Sequence, residues 1–386
     1  MGAEPVEFPA VGRVVESAVA TGIIPGAVML CGRDGTTRFH RAFGARQLEP
    51  EWLPATIRTV YDTASLTKAV CTSVLAMKAI ADGKLALDDR VARHLPEFRG
   101  DLKSEVTVRH LLCHAAGLPA HRPFYEAVVP GTPAAEAAHA IALAAAEEPL
   151  VNPPGTVSLY SDLGFILLGW VVARVAGADL DTLFRRQIFE PLGLSSTTFL
   201  RVGVGAGGST AREEFRDRHQ VAPTQMCPRR GGLVMAEVDD LNAFSMGGVA
   251  GHAGLFSDAA DLGKIAHALV SSWQGPSPGD PSVAMAPRDV IREFWRPAGI
   301  VPGSTWRLGW DGPAAQNSQA GSRMSRAAVG HLGFTGCSIW IDPEAALWII
   351  LLTNRVHPVA REDPRFRGFR AAAHDAALAA LAEERR

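Results

Sequence analysis

The feature that most constrains this chain is where its strand-like runs fall: at its two ends. "PGAVMLCGRDGTTRFHRAFGARQ" (25–47) reads as a hairpin, two β-rich runs flanking the turn residues Arg33-Asp34-Gly35. "CSIWIDPEAALWIILLTNR" (337–355) reads as two more strands around a turn at Asp342-Pro343-Glu344. From 85 to about 200 the pattern is helical, broken at Pro130-Gly131, Pro153-Pro154-Gly155 and Pro191-Leu192-Gly193. Residues 8–22 and 368–383 read as an amphipathic helix and an Ala-rich terminal helix, and "QGPSPGDPS" (274–282) as a loop. Strand-rich ends around a helical middle predict one α/β sheet assembled from both ends, with a helical insertion. No internal repeat is present. We therefore expect a single domain over 1–386, with an α/β lobe at about 8–84 plus 287–386 and a helical lobe with loops at about 85–286.

Bulk properties narrow the function. A net charge of −2 carries no electrostatic footprint for nucleic acid or an anionic membrane. No run of 18 apolar residues predicts a membrane span. The opening "MGAEPVEFPAVGRVVESAVA" lacks a basic stretch followed by an apolar one, so the sequence as written predicts a cytoplasmic protein, or a periplasmic or secreted one if a leader was trimmed. The five cysteines (Cys31, Cys71, Cys113, Cys227, Cys337) are scattered, without C-x-x-C, and are expected to be free and mostly buried. The sequence leaves the oligomeric state open.

Chemistry concentrates at "YDTASLTKAV" (61–70), where Ser65 and Lys68 spell S-x-x-K. With 20 serines and 5 lysines in 386 residues, roughly 0.3 such matches arise by chance, so the motif alone is weak. Context adds weight. Asp62 or Thr63 can cap a helix over 65–81, placing Ser65 in its first turn, where unpaired N–H groups and the positive dipole end can stabilise an oxyanion. Lys68 shares a face with Ser65 at i, i+3. If buried, its ammonium form is disfavoured, its pKa falls and it can act as a base.

A serine nucleophile also needs a proton relay and a second oxyanion donor. Tyr160, in "YSD" (160–162), follows a Pro-Pro-Gly loop and precedes an apolar helix, so it can project into a cleft or merely pack at a helix start. "HLGFTG" (331–336) is expected to open a strand whose glycine-containing edge can offer an N–H, with a plain glycine bulge as the alternative. Phe124 and Tyr125, in a Pro-flanked loop, either face the substrate or pack.

Taken together, the chain resembles the serine β-lactamase and penicillin-binding-protein superfamily, in the class C-like branch with family VIII carboxylesterases and D-amino-acid peptidases. Its motifs S-x-x-K, Y-x-N and K/H-x-G appear in order as Ser65-Leu66-Thr67-Lys68, Tyr160-Ser161-Asp162 and His331-Leu332-Gly333. "GKLALDDRVARHLPEF" (83–98), "TVRHLLCHAAGLP" (107–119), "GGVAGHAGLFS" (247–257) and "FTGCSIWIDP" (334–343) fit the same branch, and the likeness spans about residues 10–380. The resemblance implies a β-lactamase/transpeptidase-like fold: an antiparallel sheet flanked by helices, with a helical lobe inserted. It implies an acyl-enzyme on Ser65, proton transfer by Lys68 and Tyr160, and an oxyanion hole from the backbone N–H groups of Ser65 and Phe334. Asp162, His331 and Gly333 would border the substrate, and neither metal nor organic cofactor is implied. The substrate would be a small ester or amide. A carboxylesterase on small acyl esters is the first expectation, a β-lactamase or D-amino-acid peptidase the second, and a non-catalytic penicillin-binding scaffold the alternative of another class.

The chain departs from the pattern at four positions. Asp162 replaces the usual Asn, and His331 replaces Lys, weakening fixed positive charge there. Asp239 stands where relatives often carry His, and Gln225 where they often carry Glu.

Other signals are weaker. His110 and His114, with Cys113 between, fail the zinc spacings and read as a short helix capped by Thr107, with His114 hydrogen-bonded behind the site. "GVGAGG" (203–208) lacks the βαβ context of a dinucleotide site and reads as a loop. His252 reads as structural, and Arg323 and Arg326 as solvated surface charge. No G-x-S-x-G elbow occurs.

Overall fold

The computed structural model describes residues 7–202, 213–275 and 284–384, and in it strands from both ends share one sheet. The chain forms β1 (Gly26–Arg33), β2 (Thr36–Gln47), β3 (Leu53–Pro54) and β4 (Thr59–Asp62). Short strands follow: β5 (Thr198–Phe199), β6 (Gln220–Val221), β7 (Met226–Cys227), β8 (Gly232–Leu233) and β9 (Leu255–Ser257). Last come β10 (Val329–Leu332), β11 (Ser338–Asp342) and β12 (Leu347–Thr353). The main sheet runs β10-β11-β12-β1-β2-β3, antiparallel throughout, with Ala27 opposite Thr353 and Arg33 opposite Leu347.

Side chains alternate across a strand, and both faces of this sheet are covered. Val28 and Leu30 of β1, with Trp348, Ile350 and Leu352 of β12, face the helices of the middle region. Ala27, Met29 and Cys31, with Leu347, Ile349 and Leu351, face the opposite layer. That layer is made by the terminal helices Pro9–Ala20 and Arg365–Glu383, which pack on each other. Four of the five cysteines are buried, and all five are free.

The two hairpins form as expected, turning through Asp34 and Gly35 at φ 49° and 74°, and through 343–346. Two expectations need correction. "HLGFTG" closes β10 rather than opening a strand: pairing ends at Leu332, and 333–337 make the turn into β11. The helix expected over 65–81 is not uniform. Residues Lys68–Ser73 form a π-helical turn, and regular α-helix resumes over Val74–Ala81. Ser73 Oγ donates to the Lys68 carbonyl five residues back at 2.7 Å, and the turn lies tightly against Gly309, where a Cβ would come within 1.7 Å of Ser73 Oγ. Such widened turns recur at functional sites. "GVGAGG" and nearly all of "QGPSPGDPS" lie outside the described residues. No single helix among the described residues is long and apolar enough to cross a membrane.

Candidate active site

β4 delivers the chain to the site. It pairs with β9 on one side and β6 on the other, then ends at Asp62. The Asp62 carboxylate accepts the N–H of Ala64 at 2.8 Å and of Asp239 at 2.7 Å. This side chain tightens the turn, and Ala64 takes a left-handed φ of 49°. Burial pushes the Asp62 carboxyl up to about 7, with Asp239 and Asp240 adding repulsion against the pull of those two hydrogen bonds.

Ser65 follows. Its Oγ accepts from Tyr160 Oη at 2.8 Å and from Lys68 Nζ at 3.0 Å. Lys68 is fully buried, and its ammonium has three acceptors for its three protons: Ser65 Oγ, the His252 carbonyl at 2.9 Å and Asp162 Oδ1 at 2.8 Å. Nζ also lies 4.9 Å from the centre of the Tyr160 ring. This corrects the expected fall of the Lys68 pKa on burial. Burial does disfavour the charge, but Asp162 and Tyr160 outweigh it, and Lys68 titrates above its ordinary value. Asp162 in turn is held well below the usual carboxylate range: burial opposes its charge, and Lys68, His121 and His252 overcome it. The Tyr160 hydroxyl is pushed up by burial, and Lys68 offsets only part of this while Asp162 adds to it.

Asp162 was expected to border the substrate. As the first residue of the Asp162–Ala176 helix, it turns its carboxylate onto Lys68, with His121 Nδ1 3.6 Å from its other oxygen. His331 is 2% exposed and neutral, pushed down to about 3 by burial and then by the charge of Lys68. Its Nδ1 lies 2.9 Å from the Leu332 carbonyl, which can only accept, so the proton sits on Nδ1. Trp306 stacks on Tyr160 at 5.7 Å, with the His331 ring also 5.7 Å away and His114 edge-on at 4.3 Å. His114 Nδ1 accepts the Ser161 N–H at 3.1 Å, behind Tyr160 as expected, and Thr107 caps the Val108–Leu112 helix.

The turn after β10 docks against Ser65's own loop. Thr335 Oγ1 donates to the Asp62 carbonyl at 2.8 Å, and a Cβ on Gly333 would meet the Thr63 carbonyl at 2.6 Å, so only glycine permits this approach. The N–H groups of Leu66, Thr67 and Lys68 are taken by Thr63, Ala64 and Ser65, and that of Gly333 by Cys337. Those of Ser65 and Phe334 find no protein acceptor among the described residues.

Ser65, Lys68, Tyr160 and Asp162 are thus joined by hydrogen bonds and an ion pair, with His331, Gly333 and Phe334 beside them. Phe124 and Tyr125 are not part of that bonded cluster. Phe124 packs on the main core, while Tyr125 is tied through its N–H to Asn242 and lies under Arg229. Gln225 and Asp239 meet: the amide donates to both carboxylate oxygens at 3.2 and 3.1 Å. In this chain the two departures therefore meet, an amide donor facing a carboxylate acceptor. Sequence reasoning missed the His252 carbonyl, Trp306 and the Asp62 brace. A backbone acceptor has no side-chain signature, but Asp62, three residues before Ser65, was visible as a cap.

A serine hydrogen-bonded to a lysine and a tyrosine, between a helix start and a strand end, is the arrangement of a serine hydrolase of the β-lactamase fold. The family model described as Beta-lactamase matches residues 11–373, and the chain belongs to that family. It is 31% identical over 372 residues to an N-acetylmuramyl-L-alanine amidase of Bacillus subtilis (strain 168), covering 90% of this chain and 80% of that protein. It is also 31% identical over 358 residues to an Escherichia coli (strain K12) protein provisionally named a D-alanyl-D-alanine carboxypeptidase, covering 88% and 80%. Among solved structures, the octameric penicillin-binding protein homologue from Pyrococcus abyssi aligns with a TM-score of 0.72 at 22% identity over 98% of this chain and 78% of that one. EstCE1, a hydrolase with promiscuous acyltransferase activity, aligns at 0.71 and 22% identity over 96% and 97%.

Proposed function

We propose that this hydrolase works through an acyl-enzyme on Ser65, and that small uncharged acyl esters are its readiest substrates. The observation that carries the mechanism is the shared position of Ser65 Oγ, within hydrogen-bond reach of both Lys68 Nζ and Tyr160 Oη. Ser65 Oγ attacks the acyl carbon, and the oxyanion forms between the N–H groups of Ser65 and Phe334. Because Lys68 rests as an ammonium, it first hands a proton to the Asp162 carboxylate and then takes the Ser65 proton as Oγ attacks; Tyr160 passes its proton to the leaving oxygen or nitrogen and recovers one from Lys68, and Asp162 returns its proton to Lys68. Water repeats the sequence on the acyl-enzyme, releasing the acid and restoring Ser65. The neutral His331 supports the ester preference, since the third motif supplies no cation for a substrate carboxylate.

A second reading, an amidase or peptidase on cell-wall-type substrates, is favoured by the names of the relatives that match over most of their length. One side-by-side assay separates the two: short p-nitrophenyl esters, nitrocefin, N-acetylmuramyl-L-alanine and a D-Ala-D-Ala peptide. Ester turnover is expected to lead, and amide turnover far above it would replace the first reading by the second. Ser65→Ala is expected to abolish both turnover and fluorophosphonate labelling. Turnover that survives Ser65→Ala, or no turnover and no labelling in the parent, would sink the acyl-enzyme mechanism.

A further inference from the structure

Arg370, on the Arg365–Glu383 helix, is 4% exposed, and among the described residues no carboxylate pairs with it. A buried guanidinium is costly unless its donors are used. Here Nη1 donates to Gln319 Oε1 at 2.8 Å, while Nη2 points into the turn that follows β10. It reaches the carbonyls of Gly336 at 2.9 Å and of Gly333 and Cys337 at 3.4 Å each.

The Gly333 carbonyl belongs to the same peptide unit as the Phe334 N–H. That unit is planar, so whatever holds the oxygen aims the hydrogen the opposite way. The Gly336 N–H donates to this oxygen at 3.0 Å, and Arg370 adds a charged donor on the same side. Turning the peptide over would break both bonds and point a carbonyl oxygen where the N–H now points. A cation at the oxygen end also polarises the peptide, making its N–H a stronger donor to negative charge. Burial lowers the guanidinium's pKa to about 9, and Arg355 and Arg367 oppose its charge, yet it remains charged at neutral pH.

We infer that Arg370 is a positioning residue for the oxyanion hole: from behind the sheet it locks the Gly333–Phe334 peptide so that the Phe334 N–H faces the carbonyl attacked by Ser65. This rests on the acyl-enzyme reading above. Its job is done only when negative charge develops, so its loss should lower kcat and leave KM nearly unchanged.

The test uses the full-length protein with a short p-nitrophenyl ester and an alkylboronic acid, whose tetrahedral serine adduct places an oxygen in the hole. Arg370→Gln is expected to lower kcat by about tenfold to a hundredfold, with KM within about twofold, and to weaken boronate binding by a similar factor. Arg370→Lys, which keeps the charge and loses the fork, is expected to fall between parent and Arg370→Gln. Should Arg370→Gln not fold, Gln319→Ala frees Nη1 without removing the buried charge and should give a smaller drop in kcat and boronate affinity together. Folded variants with parental kcat and boronate affinity would overturn the inference. So would losses confined to thermal stability. If the parent shows no Ser65-dependent turnover, the acyl-enzyme reading itself has failed, a result distinct from an active parent indifferent to Arg370.

Discussion

Lys68 is enclosed on every side, and a buried ammonium without a partner gives up its proton. Asp162, 2.8 Å away, keeps the proton in place. An Asn at that position could accept a hydrogen bond but could not hold the charge. Asp162→Asn should therefore let Lys68 titrate lower, because burial would be left with less to oppose it. In a pH–rate series, the alkaline limb of kcat/KM is expected to move down by about one unit or more. A limb that stays put would mean that Lys68 does not set it. Asp62 offers a second test at this scale. Its carboxyl titrates at about 7 in the fold, against about 3.9 in an unfolded chain. A raised acid stabilises the fold fully below the lower value, and that contribution is lost as pH rises through the higher one. Asp62→Asn removes this dependence. The stability gap between parent and variant, read from denaturant midpoints, should therefore be larger in the parent's favour at pH 5 than at pH 8.

At the scale of elements, the site depends on close approach between a turn and a loop. Gly333→Ala drives a methyl into the Thr63 carbonyl, so the turn after β10 must retreat. Activity is expected to fall by about a hundredfold or more through a displaced Phe334 N–H, with Ser65 still labelled, slowly, by a fluorophosphonate. The π-helical turn has a similar neighbour. Gly309 takes a φ of 78° against Ser73, and Gly309→Ala is expected to destabilise the protein by about 2–3 kcal/mol, measurable as a lowered midpoint in urea. These elements also show what a linear sequence displays and what it hides. The two terminal hairpins were readable because apolar alternation and Asp-Gly or Asp-Pro turns are local signals. The Ser65 and Lys68 pairing was readable because three residues of helix place them on one face. The π-helical turn was not, since the composition of Lys68–Ser73 suits an α-helix equally well and its close contact with Gly309 comes from far along the chain. Nor was the direction of Asp162: a sequence names a carboxylate without saying which charge it will meet. Gln225 and Asp239 looked like two unrelated changes because 14 residues separate them, and only the fold puts them in contact.

For the whole molecule, acid stability should depend on imidazoles buried without charge. His374 on the terminal helix lies between Ser338 Oγ at 3.0 Å and the Gln319 carbonyl at 2.8 Å, which uses both ring nitrogens in the neutral form. Burial pushes it down to about 4, well under its unfolded value of about 6.5. Between those values the unfolded chain binds the extra proton, so stability falls as the solution is acidified across that window. A His374→Gln variant, though weaker at neutral pH, should lose less of its remaining stability between pH 7 and pH 5 in thermal scans.

The central strand β1 takes one neighbour from 36–47 and the other from 347–353. Half of the proposed oxyanion hole lies on the turn just before β11, and the arginine behind it comes later still. During synthesis, then, a ribosome will have produced Ser65, Lys68 and Tyr160 long before the sheet can close or the hole exist. The emerging chain carries its proposed nucleophile in an unfinished pocket, and strands made long after it are the ones that complete the site.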